Sequence, residues 1–251
     1  MSGRGVLVTG ASRGIGAACA RAFAEAGDRV AIHYSSSEQQ AVEVLESLPG
    51  QGHVLVRGDL ADAGQVRSFV DDAVAGLGGL DVLVNNAAVY VEHRIAEVTY
   101  EQWQDAWRQT VDVDLVGTAN VTFCAARHMI AAGTPGRVVN VSSRGAFRGE
   151  PRYPAYGASK AGLNALGQSL ARALAPHGIA VSSVAPGYVA TDMAAQVLDG
   201  PDGERIRAES PFGRVARPEE VAAAVLYLAS PEAEWASGTV LDLNGASHLR
   251  T

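Results

Sequence analysis

Apolar positions change their period repeatedly along the chain. Short, β-branched runs at residues 5–9, 29–34, 53–57, 80–85, 137–142, 179–184 and 239–243 read as strands. Because these runs are continuously apolar rather than alternating, they suit strands covered on both faces, as in a parallel sheet. Between them, residues 15–26, 38–48, 63–77, 101–131, 156–175 and 218–229 carry apolar side chains at helical spacing. Gly27 lies just beyond the first helix, and Pro218 opens the last with two glutamates in its first turn. Strand and helix alternate without a linker, a repeat or a low-complexity tract. The pattern predicts the α/β class: one doubly wound domain over residues 1–251, with about seven parallel strands flanked by helices on both faces.

One stretch, residues 187–215, breaks the rhythm. Gly187, Gly200, Pro201, Gly203, Pro211 and Gly213 make it a long excursion after the sixth strand. Loops of this length in a compact domain are usually functional. Ligands of open sheets bind at the carboxyl ends of strands, so this stretch is expected to be a substrate loop or lid.

Composition narrows the class of function. The 20 Lys and Arg against 27 Asp and Glu give a net charge of −7, with no basic block, which argues against nucleic acid as a partner. Cys19 and Cys124 lie far apart and make no disulfide framework, so a reducing cytoplasm is the expected location. No stretch approaches the roughly 20 apolar residues of a membrane span. In residues 1–10 the apolar run is only Val6-Leu7-Val8, too short for the core of a signal peptide.

The first strand runs into Thr9-Gly10-Ala11-Ser12-Arg13-Gly14-Ile15-Gly16 and then directly into a helix. Glycines let backbone approach a pyrophosphate, and a helix N-terminus offers it unpaired N–H groups and a positive dipole end. A free ribose 2′-hydroxyl is usually held by an acidic residue at the end of the second strand. Here that end reads His33-Tyr34-Ser35-Ser36-Ser37, without a carboxylate until Glu38. Serine hydroxyls and Arg13 instead suit a 2′-phosphate, so NADP(H) is expected over NAD(H). The alternative is that Arg13 is solvated and the serines cap the next helix. Past the third strand, Asp59-Leu60 either meets the adenine or starts the following helix.

Tyr156 and Lys160, four apart, share a helix face. A phenol titrates near 10, and a neighbouring ammonium is expected to favour its ionised form. Ser143 stands thirteen residues before Tyr156 at the end of a strand, where its hydroxyl can bond a carbonyl.

Together with Asn85-Asn86-Ala87-Ala88, Asn140-Val141-Ser142-Ser143, Tyr156–Lys160 and Pro186-Gly187 with Thr191, the glycine string resembles the short-chain dehydrogenase/reductase family over the whole chain. The likeness is greatest to 3-oxoacyl-[acyl-carrier-protein] reductases. It implies a Rossmann domain in which Ser143 polarises the substrate carbonyl and Tyr156 passes a proton to or from its oxygen. Lys160 would bind the nicotinamide ribose and lower the pKa of Tyr156. By the same resemblance Gly10, Ser12, Arg13, Gly14, Ile15, Gly16, Tyr34, Ser35, Asp59, Leu60, Asn86 and Ala87 line the nucleotide site. Pro186, Gly187, Val189 and Thr191 would hold the nicotinamide amide. The activity implied is reversible NADPH-dependent reduction of a ketone, with a 3-oxoacyl thioester, free or carrier-bound, leading over a sugar, a steroid or another secondary alcohol. A non-catalytic dinucleotide sensor is the competing class.

Two positions depart from the family pattern. Ala88 replaces a glycine, adding one methyl. Asp114 stands where the family's relay asparagine is expected; an ionised aspartate accepts but cannot donate, and adds negative charge near Lys160.

Other residues have plainer readings. Tyr153 is expected at the substrate mouth, and His93 as a solvated loop residue. Arg144, Arg148 and Arg152 form a basic cluster by the site entrance, read as solvated, with an acidic carrier as the alternative. Trp103 and Trp107 are expected in core or a subunit contact, and both cysteines as inert core. The six histidines show no metal-ligand spacing, so no metal is expected. Helices 101–131 and 156–175 are apolar beyond one stripe, which predicts a homo-oligomer; the family implies a homotetramer, with residues 245–251 closing a further contact.

Overall fold

A computed structural model describes residues 3–250; Met1, Ser2 and Thr251, part of the expected domain, lie outside the described residues. The chain alternates β1 (Gly5–Val8), α1 (Gly14–Glu25), β2 (Arg29–Tyr34), α2 (Glu38–Ser47), β3 (Val54–Arg57), α3 (Ala63–Leu77) and β4 (Val82–Asn85). Then follow α4 (Tyr100–Val111), a π-helical turn (Asp112–Gly117), α5 (Thr118–Ala132), β5 (Gly136–Val141), the short α6 (Gly145–Arg148), α7 (Pro154–Leu174) and β6 (Ile179–Pro186). The last part holds α8 (Asp192–Leu198), α9 (Gly203–Ala208), α10 (Pro218–Leu228) and β7 (Val240–Leu243).

All strand pairs are parallel, in the order β3-β2-β1-β4-β5-β6-β7. The order reverses between β1 and β4, and this switch point opens a crevice at the carboxyl ends of the strands. Both faces are buried, which is why the strands read as unbroken apolar runs. Along β1, Val6 and Val8 join the layer of Phe23, Val221 and Val225, whereas Leu7 faces Phe69, Leu77 and Met129 on the other side. Phe23 and Phe69 are wholly buried, and truncating either to alanine would cost about 3–5 kcal/mol.

The structure amends two expected elements. The helix expected over 101–131 is continuous in direction but broken by the π-turn between α4 and α5, which adds a residue to one turn and carries Asp114. The excursion at 187–215 holds two short helices, α8 and α9, rather than bare loop. No helix among the described residues is long and apolar enough to cross a membrane.

Candidate active site

Backbone geometry builds the nucleotide end. Gly10 (φ +62°) and Gly14 (φ +56°) take the left-handed conformation that lets the chain turn from β1 into α1. A Cβ on Gly16 would strike the Gly10 carbonyl and come within 2.6 Å of Asn86 Nδ2. Asn86 Nδ2 donates to the carbonyls of Thr9 (2.9 Å) and Gly10 (3.0 Å), and Thr9 Oγ1 accepts from the N–H of Asn86 and of Ala87. Asn86 therefore braces the turn. The first turn of α1 has no side-chain cap and no acidic residue, leaving its N–H groups and positive dipole end for an anion.

His33 is a brace that sequence reasoning missed. Its Nδ1 accepts from the Gly10 N–H (3.1 Å), and its Nε2 faces the Gly58 carbonyl (3.1 Å), which fixes the proton on Nε2. Burial pushes the imidazole down to about 4, so it stays neutral. The signal was a polar side chain in a strand covered on both faces, where it must find partners.

From this turn a cleft of about 420 Å³ runs to the tip of β5. It is lined by Gly10, Ser12, Arg13, Gly14, Ile15, Tyr34, Ser35, Asp59, Leu60, Asn86 and Ala87, and farther on by Ser143, Tyr156, Lys160, Pro186, Gly187, Val189 and Thr191. Of the residues expected at the site, Gly16 and Asp114 stand behind its wall. Arg13 is exposed, and its guanidinium makes no hydrogen bond or ion pair among the described residues. Ser37 makes no side-chain cap on α2, so the three serines face the cleft rather than closing a helix. Asp59 does not cap α3 either: it accepts from the Ala61 N–H (2.9 Å), and Asp62 is the cap.

Side chains build the other end. Ser143 follows β5, and its Oγ accepts from the Gly145 N–H (3.0 Å). Pro154 starts α7, which presents Tyr156 and Lys160 one turn apart. Lys160 Nζ donates to the Val141 carbonyl (3.0 Å) and sits 5.6 Å from the Tyr156 ring centroid. Here an expectation is corrected. The Tyr156 phenol lies above its ordinary pKa: burial raises it most, Asp114 adds to this, and the Ser143 hydroxyl opposes it. Burial also lowers the Lys160 ammonium. In the protein alone burial dominates, and the phenol holds its proton at neutral pH.

Asp114 is fully buried in the π-turn. Its Oδ1 accepts from the Val89 N–H (2.8 Å), while Oδ2 has no partner. Burial raises its carboxyl to about 6, against the pull of Lys160, the Val89 N–H and Ser159.

Several plainer readings are also corrected. Tyr153 is buried behind Tyr90, stacked on it at 3.6 Å, and it is Tyr90 that lines the cleft and meets Tyr156 edge-on at 4.8 Å. His93 is buried, bonded to the Val91 carbonyl and the Ala155 N–H and packed on Trp103 and Trp107. The basic cluster is spent on glutamates: Arg144 (2.8 Å) and Arg148 (2.9 Å) grip Glu209, and Arg152 grips Glu92 (2.7 Å). Arg144 is itself buried, bonded to Ser247 and over the Tyr188 ring. Cys19 is buried, but Cys124 is only half-buried. Among the described residues no group of three His, Cys, Asp or Glu could hold a metal ion.

This geometry has known counterparts. A family profile described as enoyl-(acyl carrier protein) reductase matches residues 10–248. The cis-4-hydroxycyclohexanecarboxylate dehydrogenase of Sinomonas cyclohexanicum is 41% identical over 96% of this chain and 95% of its own. The 3-oxoacyl-[acyl-carrier-protein] reductase FabG of Staphylococcus aureus is 34% identical over 98% of both chains. A short-chain dehydrogenase from Burkholderia cenocepacia, solved in complex with NADP, superposes with a TM-score of 0.87 at 34% identity over 98% of both chains. The chain belongs to the short-chain dehydrogenase/reductase family. It is thus an oxidoreductase of this family with a Rossmann-type sheet, and its cofactor is a nicotinamide dinucleotide. The residues present fit that group: a left-handed glycine turn with no room for a Cβ on Gly16, and an uncapped helix start.

Proposed function

We propose that this short-chain dehydrogenase/reductase reduces a ketone with NADPH, reversibly, in the cleft between the glycine turn and α7. The observation that carries the reading is that Ser143, Tyr156 and Lys160 open into the same cleft as Gly10 to Ile15. The cofactor, when bound, supplies the hydride; the chain positions both partners and handles the proton. Ser143 donates to the substrate carbonyl oxygen. The Tyr156 phenol, protonated at neutral pH, gives its proton to that oxygen in reduction and recovers it in oxidation. Lys160, tied to Val141, holds the nicotinamide ribose. The glycine turn receives the pyrophosphate, and Pro186 to Thr191 the nicotinamide amide.

NADP(H) is favoured because Arg13 and Ser35 to Ser37 remain unspent at the adenosine end. The NADP-bound Burkholderia relative supports the same choice. Within one domain, 187–215 acts as the lid: Thr191 lies against Gly14, and Glu209 anchors the segment to Arg144 and Arg148. The likeness to FabG supports a 3-oxo substrate. The arginines that would meet an acidic carrier are already engaged by Glu209 and Glu92, which favours a free small molecule.

Two separate apolar surfaces support a homotetramer. Val116 and Phe123 are exposed along the π-turn and α5, and Tyr227, Trp235 and Leu241 around the edge strand β7. Two faces, each pairing with its own copy, would generate a closed tetramer. Sedimentation of a 26.0 kDa particle at micromolar concentration would contradict it.

Following NADPH absorbance across 3-oxoacyl thioesters, diketones and sugars tests the activity, with Tyr156→Phe as control. Turnover that Tyr156→Phe abolishes is expected. Tight NADPH binding with no turnover on any substrate would point to a sensor instead.

A further inference from the structure

Glu150 stands in the wall of the same cleft, and the reading above gives it no task. It lies between α6 and α7, folded over two glycines. A Cβ on Gly145 would come within 2.6 Å of Glu150 Oε1, and one on Gly157 within 3.7 Å of Glu150 Cβ. A side chain at position 145 would push the carboxylate out of this place, whereas one at 157 would only touch it. Burial raises its carboxyl above the usual range while Arg144 and Arg148 pull it down. Yet neither arginine bonds it, since both are committed to Glu209. Among the described residues no donor reaches the Glu150 carboxylate. Its charge is felt by Tyr90, Tyr156 and Tyr188, and all three line the cleft with it.

An acceptor-only group that lines a cleft and takes no donor from the chain is free to accept a hydrogen bond from a ligand. Three kinds of ligand group can be compared. An anion is repelled by Glu150. A cation meets the positive field of Arg144 on the same wall and of Arg148, both of which act on Glu150. A neutral hydroxyl meets neither penalty. The tyrosine rings offer apolar faces to the carbon skeleton carrying it.

We propose that Glu150 is a specificity-determining residue that accepts a hydrogen bond from a second hydroxyl group of the substrate. The enzyme then acts on neutral, polyhydroxylated alcohols and their ketones and discriminates against carboxylates. This rests on the oxidoreductase reading of the same cleft: one C–OH loses hydride to the cofactor and its O–H proton to the Tyr156 phenolate, the form that grows as pH rises, while the other hydroxyl stays bound to Glu150.

The test compares cyclohexanol with 1,2-, 1,3- and 1,4-cyclohexanediol, cis-4-hydroxycyclohexanecarboxylate and 2-aminocyclohexanol, in the oxidation direction with NADP+. In the wild type at least one diol is expected to exceed cyclohexanol in kcat/KM by on the order of tenfold, the worth of one hydrogen bond to a charged acceptor. The ratio falls to near one in Glu150→Leu, mostly through KM. In Glu150→Gln it falls by a smaller factor and the carboxylate gains ground. Where the leucine variant does not fold, the glutamine variant decides alone. A diol-to-cyclohexanol ratio unchanged in the variants overturns the proposal, as does a wild-type preference for cyclohexanol, the carboxylate or the amine. Binding is read separately, by quenching of tryptophan fluorescence in the NADP+-loaded protein. Absence of saturable diol binding overturns the proposal even if cyclohexanol is oxidised, and the oxidoreductase reading then survives. Failure of NADP(H) itself to bind would remove that reading and this one together.

Discussion

The two ends of the cleft are made of different material. At the nucleotide end the contacts come from backbone, shaped by Gly10, Gly14 and Gly16 and braced by Asn86 and His33, and the imidazole is held neutral. At the substrate end titratable side chains stand among apolar ones: Tyr156, Lys160, Glu150 and, one layer back, Asp114. A pyrophosphate needs a fixed positive cradle at every pH, which oriented N–H groups supply. A carbonyl being reduced needs a proton at the right moment, which only titratable groups supply. The first end is therefore expected to be insensitive to pH and intolerant of volume. The second should tolerate volume better and respond to pH.

The largest effect is expected at the phenol. Tyr156→Phe keeps the ring against Tyr90 and removes the proton, so kcat should fall by about 10²–10⁴-fold, the usual share of general acid catalysis. NADPH affinity, read by fluorescence titration, should change little by comparison. A variant retaining a tenth of the wild-type rate would transfer the proton-donor role elsewhere.

The opposite kind of damage is expected from Gly16→Ala. Its methyl meets a backbone carbonyl and the bracing amide of Asn86, neither of which can swing away. A displacement of the order of an ångström typically costs about 100-fold. The loss should appear in the KM for NADPH before it appears in kcat. If kcat alone fell, the division of labour between the two ends would be wrong.

This contrast also explains what was legible in the sequence. Glycine in a left-handed turn has few substitutes, so the nucleotide end could be read from Gly10, Gly14 and Gly16 directly. The alternation of strands and helices made the parallel sheet legible, because both faces of the inner strands are buried. The i, i+4 spacing put Tyr156 and Lys160 on one face, and Ser143 followed from the end of β5. The pKa of the pair was misjudged, because burial is a three-dimensional quantity that spacing does not contain. Arg144, Arg148 and Arg152 read as a free basic cluster because Glu209 and Glu92, their partners, are about 60 residues away in sequence. Glu150 and His93 were opaque for the same reason: loop residues carry no periodicity, and their surroundings are decided by packing. The π-turn at Asp112–Gly117 left no mark in the apolar pattern at all.

A smaller effect is expected at the adenosine end. Arg13→Ala removes an exposed guanidinium, so its contribution to a 2′-phosphate is screened, and the KM for NADPH should rise by about tenfold, the weaker end of a charge-assisted bond. The KM for NADH, which lacks that phosphate, should move far less. Equal changes for both cofactors would assign Arg13 to the pyrophosphate and remove the basis for preferring NADPH.

The finest test concerns Asp114, where the titratable end reaches back into the scaffold. In the fold its carboxyl titrates at about 6; in an unfolded chain an aspartate titrates near 3.9. Between these values the folded protein holds more protons than the unfolded one, so this group's contribution falls as pH rises. The penalty is absent below about pH 4, grows through pH 6 and levels off above it, at about 3 kcal/mol. Asp114→Asn keeps an oxygen for the Val89 N–H and carries no charge, so its stability relative to wild type should increase from pH 4 to pH 7. Catalysis should register the same charge. Ionised Asp114 raises the Tyr156 phenol, so removing it should move the pH–rate curve for alcohol oxidation toward lower pH. It also removes support for the Lys160 ammonium, which Asp114 holds up against burial. The phenol and the ammonium are thus pushed in the same direction, both titrating lower, and the shift in the curve reports their sum. Superimposable pH–rate curves would take Asp114 out of the proton chemistry. A stability difference that still varied with pH would then leave it as a buried brace for the loop at Val89.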